Sequence, residues 1–224
     1  DERGDLVRGV QAVTNMADTL NISIPVGKDS LSMNVSWKDE KQEHAVTSPM
    51  TLNISSFSNV KDLNKSVTPE LSDSDSTILH LWSHEDKYRM GGSSLYQSYK
   101  LYGGETPDIE NMEGFKVLFD ATQHLLDEGQ ILALHDISDG GLVTSLIEMA
   151  LCSNQGLDLI LDYPEKAKIV PKLFSEESGL LVEVENKKLD EIKKYLGTLG
   201  VNYEEIARKN SQKKFTIKSF KETM

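Results

Sequence analysis

The stretch ALHDISDGGLVTSLIEMAL, Ala133–Leu151, changes character twice along its length. An apolar run ends at His135, a short acidic turn carries Asp136, Ser138 and Asp139, and Gly140 and Gly141 then open a run with helical spacing of apolar residues. Strand, turn and helix in immediate succession are the unit of an α/β architecture. Two glycines in a first helical turn cost about 1 kcal/mol each relative to alanine, so something should offset them. A phosphate approaching the helix start would do so, because unpaired N–H groups and the helix dipole favour an anion there and a β-carbon would obstruct it. Asp136 would then hold Mg²⁺ between its carboxylate and phosphate oxygens. Equally, Asp139 would serve as an N-cap and the glycines as room for close packing, and the residues alone leave both readings open.

Working outward, the same alternation continues on either side. TILHLW reads as a strand, GGSSLYQSYKLY as a glycine-opened helix, and Asn111 to Asp127 as a helix with Phe115, Leu118, Phe119, Thr122 and Leu125 on one face. A strand over Ile131 to His135 and a helix over Leu142 to Leu151 follow. The remainder gives strands at Leu157 to Leu161, GLLVEVE and KFTIKSF, with a helix over Lys188 to Leu196. Upstream, Leu6 to Leu20 has helical spacing with Asp5 placed to cap it. Leu31 to Trp37 and Met50 to Val60 are strand-like, separated by the polar turn KDEKQEH. The polar, turn-rich stretch from Lys61 to Ser76 suggests a connection between two domains, 1–60 and 77–224. Overall the pattern is α/β or α+β.

A second loop combines chemistry-bearing residues: SIPVGKDSLSM, where Gly27, Lys28, Asp29 and Ser30 lead into a strand-like run. It is not a phosphate-binding P-loop, which needs a glycine five positions before the Gly-Lys pair and a hydroxyl straight after the lysine; Ile22 and Asp29 stand there. It still places a cation, a carboxylate and a hydroxyl on one turn fixed by Pro25 and Gly27, able to face phosphate, metal and ligand. A turn with a surface ion pair accounts for the same residues. Gly91 and Gly92 read as a glycine-rich turn, Glu176 and Glu177 as a turn with solvated acids, and the histidines show no metal-ligand spacing.

Composition narrows the function. Hydrophobic residues make up 38% and charged residues 27% of 224, and no apolar run approaches the roughly 18 residues of a membrane span. A formal charge of -12 with scattered basic residues argues against a nucleic-acid surface. The one cysteine, Cys152, fits a reducing, cytoplasmic compartment and is expected to be buried and inert at the end of an apolar helix. The first residues carry no apolar signal segment and no methionine, which suggests a piece of a longer polypeptide.

IPVGKDSLSM, MGGSSLYQ, HDISDGGLVTSLIEMA and LFSEESGLLVEVE, in this order and spacing, resemble phosphoribosylformylglycinamidine synthase of the large type. The resemblance covers nearly the whole chain. It implies a PurM-like, aminoimidazole ribonucleotide (AIR) synthetase-like fold, with the tail of an N-terminal half up to about Val60 and a C-terminal half from about Ser76. It also implies an ATP-dependent C–N ligase of purine biosynthesis that amidates formylglycinamide ribonucleotide (FGAR) with glutamine-derived ammonia. Phosphorylation would make the amide oxygen a leaving group, with Mg²⁺ neutralising nucleotide charge. By resemblance Asp136 matches a magnesium ligand and Ser138 a contact to ATP or ADP, while Gly27, Lys28, Asp29 and Ser30 resemble a segment facing phosphate, metal and substrate. The site is catalytic or, because the fold is duplicated, an auxiliary structural one. The glutaminase domain and the family's catalytic histidine are expected outside this stretch, so the chain alone should not complete the reaction. Sister enzymes such as AIR synthetase or selenophosphate synthetase are disfavoured, because the resemblance implies that they share the fold but not the IPVGKDSLSM block.

Overall fold

The computed structural model describes residues 2–85, 87–161 and 168–219. The chain forms two compact units, Asp1–Lys61 and Asp62–Met224.

The first unit holds helix α1 (Glu2–Leu20) and a hairpin of β1 (Asn34–Lys38) and β2 (Glu43–Thr47). The helix is already formed before Asp5, which pairs with Arg8 one turn on rather than capping the start. The hairpin corrects the expected second strand. Asp39 accepts the N–H groups of Lys41 and Gln42 at 2.7 and 2.8 Å, closing a tight Asx-type turn inside the stretch expected to be a separator. The chain therefore returns at once, His44 stacks on Trp37 with ring centroids 4.9 Å apart, and Met50 to Val60 has no regular secondary structure. His44 also hydrogen-bonds Asp39 and holds its carboxyl below the usual range.

The second unit is a six-stranded mixed sheet with helices on both faces. Its strands are β3 (Ser76–Trp82), β4 (Ala133–Asp136), β5 (Gly156–Leu161), β6 (Gly179–Glu185), β7 (Asn202–Asn210) and β8 (Phe215–Ser219), in the order β4-β6-β3-β7-β5-β8. All neighbours are antiparallel except β5 and β8. Period-two alternation divides the core. Ile78, Leu181, Leu157 and Leu159 pack with α4 (Gly141–Ser153) and α5 (Ile169–Phe174). Leu79, Leu81, Val182 and Val184 pack on the other face with α3 (Met112–Asp127) and α6 (Leu189–Leu199). The register agrees: His80 lies opposite Leu181 and Leu79 opposite Val182, so each face stays in phase across β3 and β6. On α3 the apolar face is shifted from the expected one, since Leu118, Ala121, Thr122 and Leu125 are buried and Phe119 is exposed.

Two elements had no counterpart in the sequence reading, α5 and β7. β7 pairs with both β3 and β5, yet only Ile206 and Ala207 along it are buried. Its polar side chains are spent on partners: Glu204 on Lys172, Glu205 on Lys193 and Arg208, Lys209 on Glu183, and Asn210 on Asp158. Glu183, on β6, is fully buried and fully bonded. It accepts from the Ser72 N–H at 2.8 Å, from the hydroxyls of Ser72 and Ser76 at 3.0 and 2.6 Å, and from Lys209 Nζ at 2.8 Å. This ties the entering segment 72–76 to β6.

Candidate functional site

The turn after β4 carries Asp136 and Ser138. Asp136 is the last residue of β4, which lies at one edge of the sheet, and its side chain is 72% exposed. Its neighbour His135 has Nδ1 2.7 Å from the Asp136 carbonyl oxygen and 3.4 Å from the Asp136 carboxylate, with Nε2 3.2 Å from Glu148 on α4. Ser138 is half-buried, and its carbonyl accepts the Gly141 N–H at 2.9 Å. Asp139 is exposed and does not cap the helix; α4 starts at Gly141, and its N-cap residue Gly140 has no side chain to cap it.

Both glycines are accounted for by the fold. Gly140 and Gly141 have φ of +89° and +74°, a left-handed conformation that costs a residue with a β-carbon roughly 1–2 kcal/mol. A β-carbon on Gly141 would lie 2.6 Å from the Ser175 carbonyl oxygen and 2.7 Å from the Phe174 carbonyl carbon. The close approach permitted here is that of the chain's own 173–175 segment.

That segment continues into Glu176 and Glu177, and the expectation of solvated acids is wrong for both. Glu176 Oε1 accepts the Gly140 N–H and the Ser94 N–H, each at 2.8 Å. Glu177 is 3% exposed and clasps Arg89 with two bonds of 2.7 Å, while accepting the Arg89 N–H at 3.1 Å. Arg89 also reaches Glu110 at 2.6 Å, and its guanidinium holds its proton more firmly than usual, chiefly through Glu177. Three loops thus converge, 89–94, 136–141 and 175–177. Gly91 packs instead on the 104–105 backbone, where its β-carbon would lie 2.5 Å from the Glu105 carbonyl oxygen. Ser93 caps α2 (Ser94–Ser98), accepting from the Tyr96 N–H.

Beside this junction, His80, His84, Tyr88, Lys172, Ser175 and Glu177 enclose a small cavity against Ile137 and Leu142. His80 is buried, with Nδ1 lacking a hydrogen-bond partner among the described residues, and stacks on Trp82 at 4.8 Å. Burial, then the positive charge of Lys172 and the neighbouring His84, push its pKa down to about 3.

In the first unit, Gly27, Lys28, Asp29 and Ser30 lie exposed on an irregular segment before β1, with Lys28 hydrogen-bonded to the Ser30 hydroxyl. Asp136 and Ser138 are brought together in the second unit. Among the described residues no group of three or more His, Cys, Asp or Glu forms a metal centre. A single exposed carboxylate beside a hydroxyl fits Mg²⁺ bound jointly with phosphate and water, since that ion takes few protein ligands in nucleotide sites. Cys152 is exposed, contrary to the expected buried thiol, because it sits past the last residue of α4 that faces the sheet. No described helix is long and apolar enough to cross a membrane.

Residues 1–59 match the family model of the FGAR-AT PurM_N-like domain, and residues 76–219 that of the AIR synthase related protein, C-terminal domain. Among solved structures, Thermotoga maritima PurL complexed with FGAR superposes with a TM-score of 0.61 at 13% identity, over 92% of this chain and 34% of that one. T. maritima PurL complexed with ATP gives 0.53 at 15% identity, over 81% and 27%. Phosphoribosylformylglycinamidine synthase II from T. maritima gives 0.55 at 14%, over 80% and 27%. The chain thus spans about a quarter to a third of the length of these proteins, and at such identities the likeness is one of fold. Through residues 76–219 the chain belongs to the AIR synthase related proteins, with a PurM-like α/β fold and an FGAR-AT PurM_N-like segment ahead of it.

Proposed function

We propose that this chain is part of an ATP-dependent ligase that amidates FGAR with glutamine-derived ammonia in purine biosynthesis, in the cytoplasm. Residues 1–60 are the end of its N-terminal half, 61–76 the connection and 77–224 its C-terminal half. The observation that carries the reading is the succession of the two family matches, 1–59 and then 76–219. The complexes of T. maritima PurL with ATP, ADP and FGAR support it, as ligands of that protein.

Within this reading Asp136 is the Mg²⁺ ligand and Ser138 the contact to ATP or ADP. Gly27, Lys28, Asp29 and Ser30 face phosphate, metal and substrate. Bound Mg²⁺ supplies charge neutralisation on the nucleotide. The Gly140 N–H is already engaged by Glu176, so the turn meets the nucleotide through the Asp136 carboxylate and the Ser138 hydroxyl rather than through that amide. Lys28 and Asp29, both exposed, supply a cation for phosphate and a hard oxygen. The glutaminase that releases ammonia is a partner outside this stretch.

The test is nucleotide binding by the intact polypeptide. Asp136→Ala should weaken binding of ADP in the presence of Mg²⁺ at least about tenfold, as expected for loss of a direct metal ligand. Unchanged affinity rejects the metal assignment. The intact enzyme should also consume ATP only when FGAR and glutamine or ammonia are present, and ATP consumption without them rejects the ligase reading.

A further inference from the structure

We propose that Glu176 is the positioning residue of the candidate nucleotide turn, joining it to the glycine-rich loop before α2 through a single carboxylate oxygen. The ligand's identity rests on the functional reading above; the joint itself does not.

Oε1 of Glu176 receives two N–H groups at 2.8 Å, from Ser94 at the start of α2 and from Gly140 at the start of α4. Those amides lie 82 and 36 residues away in sequence, so nothing local would bring them together. Each belongs to a loop that cannot satisfy it alone. Asp139, the acid beside Gly140, makes no cap bond, and the Ser93 hydroxyl serves Tyr96. The carboxylate suits the place, because both amides head helices and α4 presents the positive end of its dipole there. Glu177 fastens the other end of the same loop through Arg89, and Gly141 lies directly on the 173–175 backbone. Asp136 and Ser138 stand within four residues of Gly140, on a turn held on its β4 side by the Ile137 N–H on the Gly179 carbonyl at 2.9 Å and on its α4 side by Glu176. Glu176 therefore fixes the helix side of the turn that carries Asp136 and Ser138, while β6 fixes its strand side.

Two measurements test this on the intact polypeptide. The first is amide hydrogen exchange at Ser94 and Gly140 without nucleotide. Glu176→Ala should speed both amides together at least about tenfold, leaving the β3 amides unchanged, whereas Glu176→Gln, which keeps an acceptor oxygen in place, should stay within about threefold. Glu176→Asp, one methylene shorter, should lose at least one of the two and keeps the test alive if the alanine variant does not fold. Amides indifferent to residue 176, or a glutamine variant that behaves like alanine, would overturn the joint. The second is titration with ADP and Mg²⁺. Glu176→Ala should weaken binding about tenfold and Glu176→Gln by threefold or less. Wild-type affinity in Glu176→Ala beside a weakened Asp136→Ala overturns the positioning role. If Asp136→Ala itself binds normally, the functional reading fails and hydrogen exchange alone judges Glu176.

Discussion

Asp136 and Glu176 are acids on loops of the same unit, and the fold employs them in opposite ways. Asp136 keeps its carboxylate largely in solvent, with His135 Nδ1 3.4 Å away, while Glu176 spends one oxygen on two backbone amides. The sequence distinguishes them poorly, since each is an acid near a glycine or serine turn, and the difference lies in partners remote along the chain. His80 is a third case. With a folded-state pKa near 3 against an ordinary value of 6.5, the unfolded chain takes up this proton first as pH falls. Stability should therefore decline below about pH 6.5, by at most about 1.4 kcal/mol per pH unit from this group, until the folded-state value is reached. Above pH 6.5 the group adds no dependence. Urea midpoints measured between about pH 6.5 and 5, where carboxylates contribute least, should fall more steeply for the wild type than for His80→Asn. Parallel curves would show that the buried imidazole is not the source.

At the scale of elements, the apolar strands and α4 were legible because burial on two faces writes long apolar runs into the sequence. β7 was not legible, because most of its side chains are polar and its charged ones are satisfied by partners that include α5, α6 and β6. The second hairpin strand was misplaced because Asp39 closes its turn within a polar stretch that reads as a loop. Glycine position shows the same dependence on context and gives a paired prediction. Gly141→Ala forces a β-carbon into the 173–175 backbone at a positive φ, and should cost at least about 2 kcal/mol. Gly197, on the exposed side of α6, has nothing within 4 Å of an added β-carbon. Gly197→Ala should stabilise by about 0.5 kcal/mol or more through helix propensity. Denaturant midpoints for the two variants should move in opposite directions; a shift of the same sign in both would contradict the packing account of Gly141.

At the scale of the whole molecule, the two units differ in what holds each together. All buried side chains among the described residues lie at Leu71 or beyond, where both sheet faces are covered and Glu183 and Lys209 secure the entry segment. Removing only Lys209 would leave a buried carboxylate without its cation, so Lys209→Met should cost about 3–5 kcal/mol in the urea stability of the second unit. Within the first unit, Val26, Trp37, Leu52 and Phe57 remain exposed, Phe57 at 95%. Without buried apolar area, little offsets the conformational entropy of ordering α1 and the hairpin. Protection from hydrogen exchange should therefore be divided sharply. Amides of β3, β6 and α4 should exchange only through global opening of the second unit, over hours or longer, whereas those of α1, β1 and β2 in this chain should exchange within seconds to minutes. Comparable protection in both units would mean that hydrogen bonding and local propensity hold residues 2–61 without a core. A Lys209→Met variant that lowers protection in β3 while leaving α1 and the hairpin unchanged would place that ion pair within the cooperative core of the second unit alone.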